Sequence, residues 1–195
     1  MEILKLTNDY VICIKPVGME SENQMPEALK QQLNGEIYPL HRLDLNVGGV
    51  MIFARTKAAA KEFSRIIQEG KMIKEYVALV HGEVLESGDW TDYLFKDSRK
   101  NKVFAVKRMR KGVKEARLTF ERVRYEENCS YVLIRLYTGR SHQIRVQFSS
   151  RGYPLVGDHK YGSKAQETEP KLYSCRITFP YKNETLTYEA FPEWF

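Results

Sequence analysis

Apolar positions along the chain follow two periods, one suited to strands and one to helices. Tyr10 to Ile14 is a short β-branched run closed by Lys15-Pro16-Val17-Gly18, which predicts a strand followed by a turn. Leu29 and Leu33 stand one helical turn apart, so Pro26 to Leu33 predicts a short helix with Gly35 as its stop. Val50 to Ala54 predicts an apolar strand. Thr56 then caps an amphipathic helix in which Ala59, Phe63, Ile66 and Ile67 share a face, and Gly70 ends it. Glu75 to Val80 alternates and is rich in β-formers.

The second half reads mostly as strand. Arg117 to Tyr125 and Tyr131 to Tyr137 flank the polar loop Glu126-Glu127-Asn128. Ser141 to Arg151 predicts a helix capped by Ser141 and stopped by Gly152, with Ile144 and Phe148 inward. Tyr173 to Phe179 and Glu184 to Glu189 predict a hairpin around Pro180-Tyr181-Lys182-Asn183. Strands and helices mix without a regular βαβ rhythm, so the expected class is α+β, a mixed or antiparallel sheet with helices against it. No repeat and no linker divides the chain, and residues 1–195 read as a single domain.

Composition excludes several classes. With 43% hydrophobic and 29% charged residues the chain is globular, not disordered. No run approaches the length of a membrane span, and the start carries Glu2 and Asp9 with no long apolar stretch. The expectation is a cytoplasmic protein with no membrane association. Cys13, Cys129 and Cys175 are an odd, widely spaced set with no CxxC pair, which argues against a disulfide framework and for buried filler in a reduced compartment.

Charge changes the picture because it is local. The chain carries a net +6, yet Lys96 to Arg117 alone holds ten basic and two acidic residues, a net of +8. Such a run reads either as a solvated hairpin or as a phosphate-contacting arm, with Lys107, Arg108, Arg110 and Lys111 at its densest point.

Two stretches hold candidate chemistry. His41-Arg42-Leu43-Asp44-Leu45-Asn46-Val47-Gly48-Gly49 lies between a helix and a strand, and its paired glycines permit close backbone approach. Alone, it reads as a loop with an Arg42–Asp44 ion pair. A metal site at His41 and Asp44 is disfavoured, because no second histidine cluster stands at ligand spacing. Leu136 to Arg145 runs from a strand into a helix start with Thr138, Arg140, Ser141, His142, Gln143 and Arg145 crowded together, which suits a phosphate or carboxylate.

Taken together, these stretches are specific. His41-Arg42-Leu43-Asp44, Lys74-Glu75-Tyr76-Val77-Ala78, Thr138 to Val146, Gly152 to Asp158 and Tyr161-Gly162, in this order and spacing, strongly resemble the RluA-type RNA pseudouridine synthases. Lys15-Pro16-Val17-Gly18 matches that family's opening Lys-Pro-x-Gly element, and the resemblance covers about residues 8 to 192. It is to the catalytic domain alone; an S4-like RNA-binding domain ahead of it is expected to be absent, since Lys-Pro-x-Gly begins at residue 15.

The resemblance implies a pseudouridine synthase fold: a long, bent, largely antiparallel mixed sheet flanked by helices and loops, with a basic cleft across its middle. It implies that uridine in structured rRNA or tRNA, presented on a stem-loop, is isomerised to pseudouridine by a monomer without metal or other cofactor. Asp44 matches the essential carboxylate, which either attacks C1′ or takes a proton from C2′. Tyr76 matches the tyrosine that stacks on the target base and helps move the C5 proton. Arg145 matches the arginine that pairs with the carboxylate and keeps it ionised. Arg42 matches the arginine that enters the RNA stack as the uridine is flipped out. His41, Arg140, His142 and Gln143 are placed with the RNA-binding residues, beside the four basic residues of the arm. The sequence departs from the family at Val47, Gly48 and Val50, where Thr, Ser and Leu are usual, and at Gln147, where His is common. The alternative is a non-catalytic RNA-binding protein of the same fold. Retention of Asp44, Tyr76 and Arg145 argues against it, because a binder has no use for a carboxylate in a basic groove.

Overall fold

The structure is a computed structural model that describes residues 1–195. In chain order the first elements are β1 (Ile3–Leu6), β2 (Tyr10–Lys15), α1 (Gln24–Leu33), β3 (Tyr38–Pro39), β4 (Gly48–Ala54) and α2 (Lys57–Gln68). Then come β5 (Ile73–His81), β6 (Ser87–Asp97), β7 (Lys102–Val106), β8 (Val113–Glu126) and β9 (Cys129–Leu136). The chain ends with α3 (Gln143–Ser149), a 3-10 turn (His159–Tyr161), β10 (Leu172–Tyr181) and β11 (Glu184–Glu189). These elements form two compact units, one of Met1–Lys74 with Tyr173–Trp194 and one of Glu75–Leu172 with Phe195.

In the first unit, β2 runs antiparallel to both β1 and β4, and β10 joins the start of β4 in parallel. The alternation of β2 and β4 sends Tyr10, Ile12, Val50 and Ile52 to one face. There they meet the apolar stripe of α2, carried by Ala59, Phe63 and Ile66. Phe63 stacks on Tyr181 and meets Phe179 edge-on, so an aromatic cluster joins α2 to β10. Thr56 caps α2 as expected, its hydroxyl accepting the Ala59 N–H at 3.1 Å. The expected stop at Gly35 falls one residue earlier, at Asn34, which takes the left-handed conformation. The β10–β11 hairpin turns at Lys182 and Asn183, both at positive φ, the geometry a two-residue hairpin turn requires.

The second unit orders its strands β5-β9-β8-β6-β7. α3 packs on this sheet: Phe148 meets Trp90 and Phe120, and Val146 joins Leu94, Val103, Ala116 and Tyr161. α3 begins two residues later than the pattern predicts and is shorter at both ends. The cause is Gln143. Its side-chain Oε1 accepts from Thr138 Oγ1 and the Arg140 N–H, and its Nε2 donates to Arg117 O, so residues 138–142 close into a turn. His142, not Ser141, precedes the helix, in the left-handed conformation at φ 51°. The basic run is built largely into the sheet, with Val103 and Val113 buried; Lys107 to Gly112 form the exposed loop between β7 and β8. None of the three cysteines is in a disulfide; Cys13 and Cys175 are buried, whereas Cys129, at the turn into β9, is only half-buried.

Candidate active site

Asp44 sits in the first unit on a loop tied down at three consecutive residues. Its own carbonyl accepts the Val47 N–H at 3.0 Å, which makes residues 44–47 a β-turn. Before it, Leu43 exchanges two hydrogen bonds with one side chain: Ser21 Oγ donates to Leu43 O at 2.9 Å and accepts the Leu43 N–H at 3.2 Å. After it, Leu45 O accepts from Gly18 N at 2.9 Å and from Lys15 Nζ at 3.1 Å. Lys15 is fully buried and also donates to Pro16 O at 2.9 Å. Burial pushes its ammonium down to about 8, against the opposing pull of the Asp44 charge.

The glycine pair closes the same loop. Gly49 has φ 126°, and a Cβ there would stand 2.3 Å from Ser174 O, so the parallel start of β4 beside β10 admits glycine only. This is the close backbone approach that the Gly-Gly pair suggested. Val47, where the resemblance leads one to expect threonine, is buried.

The other residues of the loop differ in kind. Burial, with the Lys74 charge added, drives His41 down to about 3, so its ring is neutral at pH 7. Its Nε2 faces the Ile52 N–H at 3.3 Å, an internal partner on β4. Arg42 is exposed and pairs with Glu22 at 3.3 Å, in place of the Arg42–Asp44 pair the loop alone suggested. Surface pairs of this kind are weak, which leaves the guanidinium easy to recruit.

The second unit holds Tyr76, Arg140, His142, Gln143 and Arg145. Tyr76 is 6% exposed near the start of β5. Arg145 projects from α3 into a fork with Asp158: Nε to Oδ2 at 2.6 Å and Nη2 to Oδ1 at 2.9 Å, both side chains nearly out of water. The Tyr161 ring lies 5.1 Å from that guanidinium. Its hydroxyl accepts the Val103 N–H at 2.9 Å and meets His142 Nδ1 at 2.7 Å, so one tyrosine joins α3 to β7. Gln143 is buried and spent on the turn described above, and Arg140 Nε donates to Glu115 O at 2.7 Å.

The arm presents Lys107, Arg108, Arg110 and Lys111 to solvent, with Arg110 laid over Phe95. Ser21, Lys15, Asp158 and Tyr161 have no role assigned by the sequence pattern alone. Lys15, Asp158 and Tyr161 stand inside the quoted motifs, so a signal existed. Ser21 had none, because its partner is 22 residues away in another loop. No group of three His, Cys, Asp or Glu side chains is close enough to hold a metal ion.

The model of the family described as RNA pseudouridylate synthase matches residues 9–150. The chain belongs to this family. An uncharacterized RNA pseudouridine synthase of Haemophilus influenzae is 28% identical over 98% of this chain and 88% of its own length. The dual-specificity RNA pseudouridine synthase RluA of Escherichia coli K12 is 31% identical, over 96% and 92%. Among solved structures, the human RNA pseudouridylate synthase domain containing 1 superposes with a TM-score of 0.87 at 22% identity, covering 100% of this chain and 84% of that one. At that identity the likeness speaks to the fold, which is the α+β pseudouridine synthase fold. The synthase is of the RluA type and is an isomerase, converting uridine in RNA to pseudouridine.

Proposed function

We propose that this synthase works through Asp44 as its essential carboxylate, on a uridine in a stem-loop of rRNA or tRNA. Tyr76 is the aromatic that stacks on the flipped base, and Arg145 is the active-site cation. The N1–C1′ bond breaks, the uracil turns, and C5 bonds to C1′; C5 gives up its hydrogen and N1 gains one, so nothing is added overall. Asp44 starts this by attack on C1′ or by removing the C2′ proton. An isomerase that retains its leaving group needs one carboxylate, unlike the pair used in glycoside hydrolysis.

The observation that carries the reading is the bracing of Asp44, held by turn, hydroxyl and buried ammonium at residues 43–45. A loop fixed to that degree fits a carboxylate that must meet a reacting atom, since small displacements cost large factors in rate. Arg42 is the residue that enters the RNA stack, and His142 and Arg140 lie beside it in function. The arm supplies phosphate contacts through Lys107, Arg108, Arg110 and Lys111. The choice of RNA class follows the relatives, which include a tRNA pseudouridine synthase C of Haemophilus ducreyi and a yeast mitochondrial tRNA pseudouridine(32) synthase. The protein acts as a cytoplasmic monomer; no helix is long and apolar enough to cross a membrane.

The test is to map pseudouridines by carbodiimide-dependent stops in total RNA with and without the gene. One or a few stops lost from rRNA or tRNA on deletion, and restored by the wild-type gene, are expected. An unchanged map in both RNA classes would contradict the assignment of target.

A further inference from the structure

We propose that Ser21 is a positioning residue for Asp44. This rests on the reading of Asp44 as the essential carboxylate. Ser21 is almost fully buried in the loop between Lys15-Pro16-Val17-Gly18 and α1. Its hydroxyl makes two bonds to the backbone of the residue directly before Asp44, donating to Leu43 O and accepting the Leu43 N–H. A hydroxyl can do both at once because it carries one donor and two acceptor sites. The arrangement imitates one rung of a sheet ladder, with a side chain standing in for a strand.

Ser21 is itself held. Glu20 O accepts the Met25 N–H at 3.0 Å, and the Glu20 N–H donates to Gln24 Oε1 at 2.8 Å. Both bonds run to the first residues of α1, so the turn that carries Ser21 is tied to the start of that helix. Leu43, on the other side, is buried, so its N–H and carbonyl have little access to water as substitutes.

The consequence is a two-sided clamp. Lys15 and Gly18 hold Leu45 O; Ser21 holds Leu43; Asp44 is the residue between them. With Ser21 gone, the Leu45 side still tethers the loop. What is lost is the direction in which the carboxylate leaves the backbone. Ser21 touches no reacting atom in this scheme. Its effect therefore falls on the chemical step and not on RNA affinity, which the exposed cations set.

Ser21→Ala, Ser21→Thr and Asp44→Ala are compared with the wild type in single-turnover tritium release at saturating RNA, with filter binding for affinity and urea unfolding for integrity. For folded Ser21→Ala the saturating rate should fall by ~10–100-fold, the scale of a misplaced catalytic group, while the dissociation constant stays within about twofold. Ser21→Thr keeps the hydroxyl and should recover most of the rate. If Ser21→Ala does not fold, Ser21→Cys replaces it, the thiol being a weaker partner; its saturating rate should fall below those of both Ser21→Thr and wild type. A wild-type rate in folded Ser21→Ala, or in Ser21→Cys, overturns the proposal. So does an equal loss of rate and affinity, which marks a merely structural role. Asp44→Ala separates the two levels: if it turns over normally, the reading of Asp44 fails. If it is dead while Ser21→Ala is normal, only the role of Ser21 fails.

Discussion

Arg145 and Asp158 meet fork to fork, Nε to Oδ2 at 2.6 Å and Nη2 to Oδ1 at 2.9 Å, with only 9% and 1% of their side chains exposed. A buried pair of this kind is not a cheap source of stability, because both ions lose their water. Its value lies in orientation: the planar guanidinium is fixed edge-on by the carboxylate, with the Tyr161 ring beside it. Removing Asp158 takes a buried carboxylate partner away from the Arg145 charge. Asp158→Ala should therefore cost ~3–5 kcal/mol of unfolding free energy, read by urea titration. A loss below ~1 kcal/mol would mean that the fork to Asp158 does not hold Arg145.

Lys15 gives a pH signature. Burial lowers its folded-state pKa to about 8 from 10.5. Between those values the unfolded chain binds a proton that the folded chain lacks, so the contribution of Lys15 to stability rises with pH across that window and is flat below it. A neutral amine keeps two N–H groups, enough for Pro16 O and Leu45 O. The difference in unfolding free energy between wild type and Lys15→Met should shift in favour of wild type from pH 8 to 10. Parallel stability curves for the two proteins over that range would contradict the burial of the ammonium.

Tyr76→Phe separates stacking from proton transfer. The ring face is kept, so RNA affinity should hold, since stacking is worth ~1–3 kcal/mol per base and does not need the hydroxyl. The saturating single-turnover rate should fall. Equal rates for tyrosine and phenylalanine would remove the hydroxyl from the mechanism.

The arm should set affinity without touching the chemical step. Counterion release gives a log–log salt slope of roughly −0.7 to −0.9 per phosphate contact. Replacing Lys107, Arg108, Arg110 and Lys111 together by alanine should flatten the slope of RNA binding by roughly 2–3 units if most touch phosphate. The saturating rate should stay near wild type. An unchanged slope would make the run a solvated hairpin, and a collapsed saturating rate would make it part of the site.

Legibility from sequence followed the range of the forces involved. β2, β4 and α2 could be read because their burial is written in local periods, and Thr56 because a cap acts over three residues. β6 and β7 are not legible as strands from the sequence pattern. Asp89, Asp92, Lys96 and Lys102 hide their alternation, and pairing with β8 makes them strands regardless. α3 starts later than its pattern predicts because Ser141 looks like a cap, whereas Gln143 captures the preceding turn with its side chain. His41 shows the same limit within the motif: beside Arg42 it reads as polar and available, but the fold turns its ring to β4 and strips its charge. Ser21 depends wholly on a contact between two loops, which no local pattern announces.

The most direct test of the account is tritium release from RNA labelled at uridine C5, comparing wild type with Asp44→Asn at saturating RNA. The amide nearly preserves the shape of the carboxylate in its braced turn, so the variant should fold and bind RNA as wild type does. It can neither attack C1′ nor accept the C2′ proton effectively, so release should fall to background. Release within tenfold of wild type, from folded Asp44→Asn, would contradict the central claim.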